Sequence, residues 1–212
     1  MVFEQLIQTL ENRLAEPLPG KVAHLLMSPQ PVDFRRFEAK LPSNYRKSGV
    51  LVLFFPDGDR TFFPLIKRPE YPGVHSGQVA FPGGKMEPDD LSIIHTALRE
   101  AEEEVGIAPS DVKILGRLSD LYIPTSNFLV SPILGFSEKR PVFTPETKEV
   151  SRIINTDFFR LFDPEVRKQK ILDLSPNFSL DTPYFDIDGE VVWGATAMIL
   201  SELIHLIEKG RP

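Results

Sequence analysis

The order of apolar and polar residues changes period several times along the chain, and each change predicts an element. Within residues 2–15, Phe3, Leu6, Ile7, Leu10 and Leu14 recur on one face, which predicts an amphipathic helix. Pro17 and Pro19-Gly20 stop it. Residues 28–47 keep no period and are rich in proline and charge; Arg35, Arg36, Lys40, Arg46 and Lys47 read as surface charges. Residues 49–55 read as a buried-type strand. Pro56-Asp57-Gly58-Asp59 is a turn, and residues 60–67 form the returning strand. A loop dense in turn residues follows over 68–76. Gln78-Val79-Ala80-Phe81 alternates as a short strand and delivers Pro82-Gly83-Gly84, which breaks regular structure and lets backbone approach a ligand.

The next helix is the one the rest of the chain serves. Pro88 opens it with Asp89 or Asp90 as N-cap, and Gly106 closes it. Ile94, Ala97, Leu98, Ala101 and Val105 form its apolar stripe. Beyond it, residues 112–118 and 128–136 read as strands, and 144–162 as helical in parts. Residues 163–190 read as loop and short strand. Residues 194–209 close the chain as a helix lined by Ala195, Met198, Ile199, Leu203, Leu206 and Ile207. Strands and helices alternate, which predicts a layered α/β or α+β domain.

The same helical wheel places charge. Glu100, Glu103 and Glu104 fall within an arc of about 100° beside the stripe, while Glu102 lies on the other flank. Carboxylates crowded on one face repel one another unless a cation sits among them. Mg²⁺ and similar hard cations take oxygen ligands, commonly carboxylates together with substrate phosphate. The plain alternative for Glu102-Glu103-Glu104 is a solvated acidic face. The Gly-Gly loop upstream and the Arg99-Glu100 pair favour the metal.

Composition narrows the classes. The 212 residues suffice for one domain with a real core, and 42% apolar with 25% charged residues is ordinary for a soluble globule. No cysteine is present, which removes disulfides, thiolate nucleophiles and Cys-metal sites and suits a reducing cytoplasm. No apolar run approaches transmembrane length, and the first residues lack the signal-peptide pattern. A net charge of −6 argues against broad nucleic-acid binding. An anionic substrate then needs a bound cation and local Lys or Arg residues to reverse the field. Monomer and homodimer both stay open.

Residues 84–107 resemble the Nudix box, the signature of Nudix hydrolases. That pattern runs Gly, five residues, Glu, seven residues, then Arg-Glu-apolar-any-Glu-Glu-any-Gly-apolar. Arg99, Glu100, Ala101, Glu103, Glu104, Gly106 and Ile107 match its second half. The first half departs: Asp90 stands where the pattern has Glu, and Arg99 arrives one residue late. The resemblance implies a Nudix fold, an α/β/α sandwich with a mixed β-sheet. It implies Mg²⁺ or Mn²⁺ held by Glu100, Glu103 and Glu104, with a carbonyl of Gly83 or Gly84 as a further ligand. It implies that Arg99 braces the catalytic loop by pairing with a box carboxylate. In some Nudix enzymes a late-loop glutamate acts as base, the role open to Glu149.

The segment from Leu65 to Gly84 resembles a second motif, found before the box in the coenzyme A pyrophosphatase branch. Leu65, Arg68, Gly77, Phe81, Pro82, Gly83 and Gly84 match it. Pro64 replaces its first leucine, Ile66 its threonine, and Gly73 its second arginine. Ile123-Pro124-Thr125-Ser126 and Trp193-Gly194-Ala195-Thr196-Ala197 also resemble this branch. The likeness spans residues 48–207, which sets a domain over 48–212 with a helix and irregular arm over 1–47 packed on it. It implies hydrolysis of coenzyme A or an acyl derivative to 3′,5′-ADP and phosphopantetheine, with Arg68, Gly83, Gly84 and Lys85 at the substrate. ADP-ribose, a nucleotide sugar or a dinucleotide would use the same metal residues, and a non-catalytic nucleotide-sensing domain is the other-class alternative. His75 is expected to be structural, His95 lies off the acidic face, and Trp193 is expected to pack in the core.

Overall fold

The strand β1 (Arg46–Asp57) carries the sheet, and its apolar run decides the layering. Leu51, Val52, Leu53, Phe54 and Phe55 are all buried, as in a strand covered on both faces. Their alternation sorts them between two cores. Leu51 and Leu53 pack with Ala97, Ala101 and Val105 of the acidic helix α3 (Ile93–Val105). Val52 and Phe54 pack on the opposite side with Leu6 and Leu10 of α1 (Phe3–Leu14) and Met198, Leu200 and Leu203 of α4 (Gly194–Glu208). The computed structural model describes residues 2–38, 40–70, 76–175 and 178–208.

β1 runs parallel to β7 (Phe128–Phe136) from Arg46↔Phe128 to Phe54↔Phe136. Its far end pairs antiparallel with β2 (Arg60–Lys67) through the Gly58-Asp59 turn. Its near end pairs antiparallel with β4 (Gly83–Lys85). β3 (Val79–Ala80) and β8 (Arg152–Asp157) flank β2, while β5 (Lys113–Arg117) and β6 (Leu121–Ile123) flank β7. The result is an eight-stranded mixed sheet between helices. A second, three-stranded antiparallel sheet holds β9 (Arg167–Ser175), β10 (Phe178–Ile187) and β11 (Glu190–Val192). No helix among the described residues is long and apolar enough to cross a membrane.

Several expectations are corrected. Gly83-Gly84 does not interrupt regular structure: with Lys85 it forms β4 against Ser48, Gly49 and Val50. Residues 144–157 are not helical; 152–157 form β8, because the open edge of β2 offers partners from Phe62 to Lys67. Only a 3-10 turn at Phe158–Phe162 is helical there. Residues 163–190 hold two long strands in place of a short one. A short helix, α2 (Lys21–Leu26), stands after Gly20, where no helix was expected. Trp193 is half-buried and lies outside the core. Ile94 is exposed, and Ile93 packs on the helix core in its place.

A buried carboxylate ties the chain's two ends together. Glu202 of α4 accepts the Gly20 N–H at 3.0 Å and meets His24 Nε2 at 2.9 Å. Both side chains are almost wholly buried, so each depends on the other to satisfy its polar atoms.

Candidate active site

α3 begins at Ser92, whose hydroxyl accepts the His95 N–H at 3.1 Å. The expected N-caps Asp89 and Asp90 lie before the helix, and Asp90 has a different part. Its carboxylate is buried and takes two hydrogen bonds from Arg99, Nε to Oδ1 and Nη2 to Oδ2, both at 3.0 Å. It also accepts from Thr96 Oγ1 and the Glu87 N–H, each at 2.9 Å. The Arg99 fork fits a carboxylate bidentately, and it holds the Asp90 carboxyl well below the usual range. His95 Nδ1 lies 3.1 Å from Asp90, a contact the sequence did not suggest. Arg99 also donates to the Lys85 carbonyl at 3.2 Å, and its Nη1 meets Glu100 at 2.9 Å and Glu103 at 3.1 Å. One guanidinium thus joins the loop before the helix to the acidic face on it.

The glutamates differ in their surroundings. Glu104 is buried, at 1% exposure. Its Oε2 accepts the Gly83 N–H at 2.8 Å, and its Oε1 lies 3.4 Å from Arg68 Nη2. Arg68 Nη2 also donates to the Gly83 carbonyl at 3.4 Å. Burial pushes the Glu104 carboxyl up to about 7, against the pull of Arg68 and Gly83. Glu100 is largely buried and is raised too, first by burial. Gly84 lies against it, and a Cβ there would displace the Glu100 carboxylate. Glu103 is exposed and turned toward Arg99, and Glu102 is exposed. Lys85 reaches Glu87 at 3.2 Å on the surface.

The far end of α3 fixes one more carboxylate. Gly106 ends the helix in the left-handed region at φ 74°, and a Cβ there would strike Thr144. Thr144 N–H donates to the Val105 carbonyl at 2.9 Å and Glu146 N–H to the Glu104 carbonyl at 3.0 Å. The helix's open carbonyls are thereby satisfied by a loop from elsewhere in the chain. That loop carries Glu149, whose charge adds to the upward push on Glu100 and Glu104. Gly73 and His75 lie outside the described residues.

Glu100 and Glu104 therefore meet at β4, with Arg68 and Glu149 at their border. Among the described residues no group of three acidic or histidine side chains is gathered to hold a cation as it stands, and Arg99 engages both Glu100 and Glu103. The donor set nevertheless suits a hard cation: carboxylates and backbone carbonyls, with two carboxyls whose charge is costly in its absence. A pH test follows. Glu104 holds its proton more tightly folded, at about 7, than unfolded, at the ordinary glutamate value of 4.5. Between those values the folded state carries the extra proton, so rising pH removes stability. In chelator the urea unfolding free energy is expected to fall by about 2 kcal/mol between about pH 5.5 and 8. Glu104→Gln and saturating Mg²⁺ should each abolish the fall. A wild-type stability that stays level over this range, as in Glu104→Gln, would show Glu104 ionised throughout.

The family follows from comparison with known proteins. A NUDIX domain model matches residues 45–171. The uncharacterized Nudix hydrolase NudL of Yersinia pestis (strain Pestoides F) is 35% identical over 191 residues, 86% of this chain and 90% of that protein. The NudL of Yersinia pseudotuberculosis serotype O:1b (strain IP 31758) matches equally. Among solved structures, the M. smegmatis Nudix hydrolase RenU has a TM-score of 0.54 at 12% identity, covering 79% of this chain and 89% of that one. The MutT protein of Methanosarcina mazei Go1 has a TM-score of 0.51 at 17% identity, covering 82% and 100%. These two likenesses speak to fold alone. The chain belongs to the Nudix hydrolase family. Enzymes of this family generally use divalent metal ions and act on small nucleotide substrates.

Proposed function

We propose that this enzyme hydrolyses the diphosphate bond of coenzyme A or acyl-coenzyme A, giving 3′,5′-ADP and (acyl-)phosphopantetheine, with Mg²⁺ or Mn²⁺. The observation that carries the substrate reading is the position of Arg68. The arginine of the upstream motif lies against Glu104 and Gly83, at the border of the acidic site. Glu100 and Glu104, with Glu103 released from Arg99 and a carbonyl of Gly83 or Gly84, would hold the metal. The metal would neutralise phosphate charge and acidify a water. Glu149, or a box glutamate, would orient that water and accept its proton. Arg99 and Asp90 would keep the loop of Lys85 against the helix. Arg68 and Lys85 would bind substrate phosphate. Residues 1–47 would be a helix and irregular arm packed on a catalytic domain of 48–212. A cysteine-free chain suits a cytoplasmic setting.

Gly73, in place of the branch's second arginine, favours a second reading. The same metal residues would then serve ADP-ribose, a nucleotide sugar or a dinucleotide. A sensing role is less well supported, since Glu100, Glu103 and Glu104 are all retained. The deciding experiment is a screen of diphosphate compounds with Mg²⁺ and with Mn²⁺, products read by mass. Release of 3′,5′-ADP from coenzyme A is the expected result. Ready cleavage of ADP-ribose or a dinucleoside polyphosphate, with coenzyme A left intact, would end the coenzyme A reading.

A further inference from the structure

Arg68 touches the oxygens that a cation would need. Its Nη2 lies 3.4 Å from Glu104 Oε1 and 3.4 Å from the Gly83 carbonyl. The other Glu104 oxygen is held by the Gly83 N–H, so Oε1 is the one left to face a cation. Among the described residues, Glu104 is the only carboxylate within ion-pair distance of Arg68. Glu104 is buried at 1%, while the Arg68 side chain keeps 27% of its surface. The carboxylate is thus closed off from solvent, while the guanidinium side chain keeps contact with it.

We propose that Arg68 is a resident counter-ion of Glu104, displaced by the incoming metal and thereby freed to grip the substrate diphosphate. The inference rests on the metal reading above and adds an order to it: cation first, nucleotide second. A buried carboxylate without a positive neighbour is unfavourable, so a guanidinium at 3.4 Å stands in for the metal. A guanidinium and a divalent cation drawn to one carboxylate oxygen repel each other, which favours outward movement of the arginine once the metal arrives. Once displaced, the five-donor fork would be free to pair with the oxygens of a substrate phosphate. The residue would then bind substrate only in the metal-loaded protein.

This makes an unusual demand on the two neutral variants. Removing a phosphate-binding arginine normally weakens everything at its site. Here Arg68→Ala and Arg68→Gln are each expected to bind Mn²⁺ about fivefold to tenfold more tightly in the absence of nucleotide. Both should raise KM for the diphosphate substrate about tenfold or more, with kcat changed much less. Arg68→Lys keeps the charge and should keep near-wild-type Mn²⁺ affinity. Mn²⁺ binding is read by the spin resonance of free Mn²⁺ at low salt, and melting curves check the fold of each variant. Unchanged or weaker Mn²⁺ binding in both neutral variants, with wild type binding normally, would overturn the proposal and leave the metal reading standing. No Mn²⁺ binding by wild type would overturn both.

Discussion

Glu104→Gln is expected to lower kcat by about 10³-fold, the scale of a lost metal-ligand role, with little change in fold. The amide keeps an oxygen for the Gly83 N–H, so the 2.8 Å hydrogen bond survives. What is lost is a buried charge, and with it the attraction for a cation. In chelator near pH 8 the variant should therefore melt no lower than wild type, and it should lose the Mg²⁺-induced rise in melting temperature. Glu102→Gln, on an exposed side chain of the same helix, is the internal control and should leave turnover within about twofold. Equal losses at Glu102 and Glu104 would remove the distinction between the two helix faces on which the site rests.

Asp90→Asn should act first on stability and through it on turnover. Asparagine keeps the size but cannot serve both arms of the Arg99 fork as an anion. Arg99 retains Glu100 and Glu103, which softens the loss, so the expected cost is about 3 kcal/mol. For a chain of this size that is a fall in melting temperature of about 5–10 °C. Turnover should drop about tenfold to a hundredfold, because the loop from Lys85 to Asp90 is released from the helix. Calorimetry and kcat on the same preparation check both. A melting point within a degree or two of wild type would show that Arg99 needs only its neighbours on the helix.

These two residues show what the sequence carries and what it hides. Glu104 was legible because the spacing of its neighbours puts it on one helix face with Glu100. Asp90 was harder: it sits where the family pattern has glutamate, and it reads equally well as a helix cap. Only the fold shows that Ser92 caps the helix and that Arg99 reaches back to Asp90. The sheet divides the same way. The apolar run of β1 announces a central strand. β8 does not announce itself, since Val150, Ile153, Ile154, Phe158 and Leu161 also fit a helical period, and the open edge of β2 decided the matter. β9 is largely polar and exposed, so it gives little period to read, and in β10 Asp181, Thr182 and Pro183 interrupt the apolar alternation. Glu202 and His24 are far apart in sequence, and nothing local marks them as partners.

The anchoring of Thr144 and Glu146 on the last carbonyls of α3 also bears on how freely this enzyme can be lengthened. Glu149 takes its place from the helix end, not from the strand that precedes its loop. In the stretch between β7 and Thr144, the Ser137 N–H donates to the Phe54 carbonyl and Phe143 packs on Phe55, so the slack is confined to its middle. Residues 138–140 in it are exposed, and their ion pairs, Glu138 with Lys113 and Arg140 with Asp57, lie on the surface, where such pairs contribute little. A peptide tag or a fluorophore-bearing insert spliced after Lys139 meets slack there, and the carboxylate beyond it stays in register with the box.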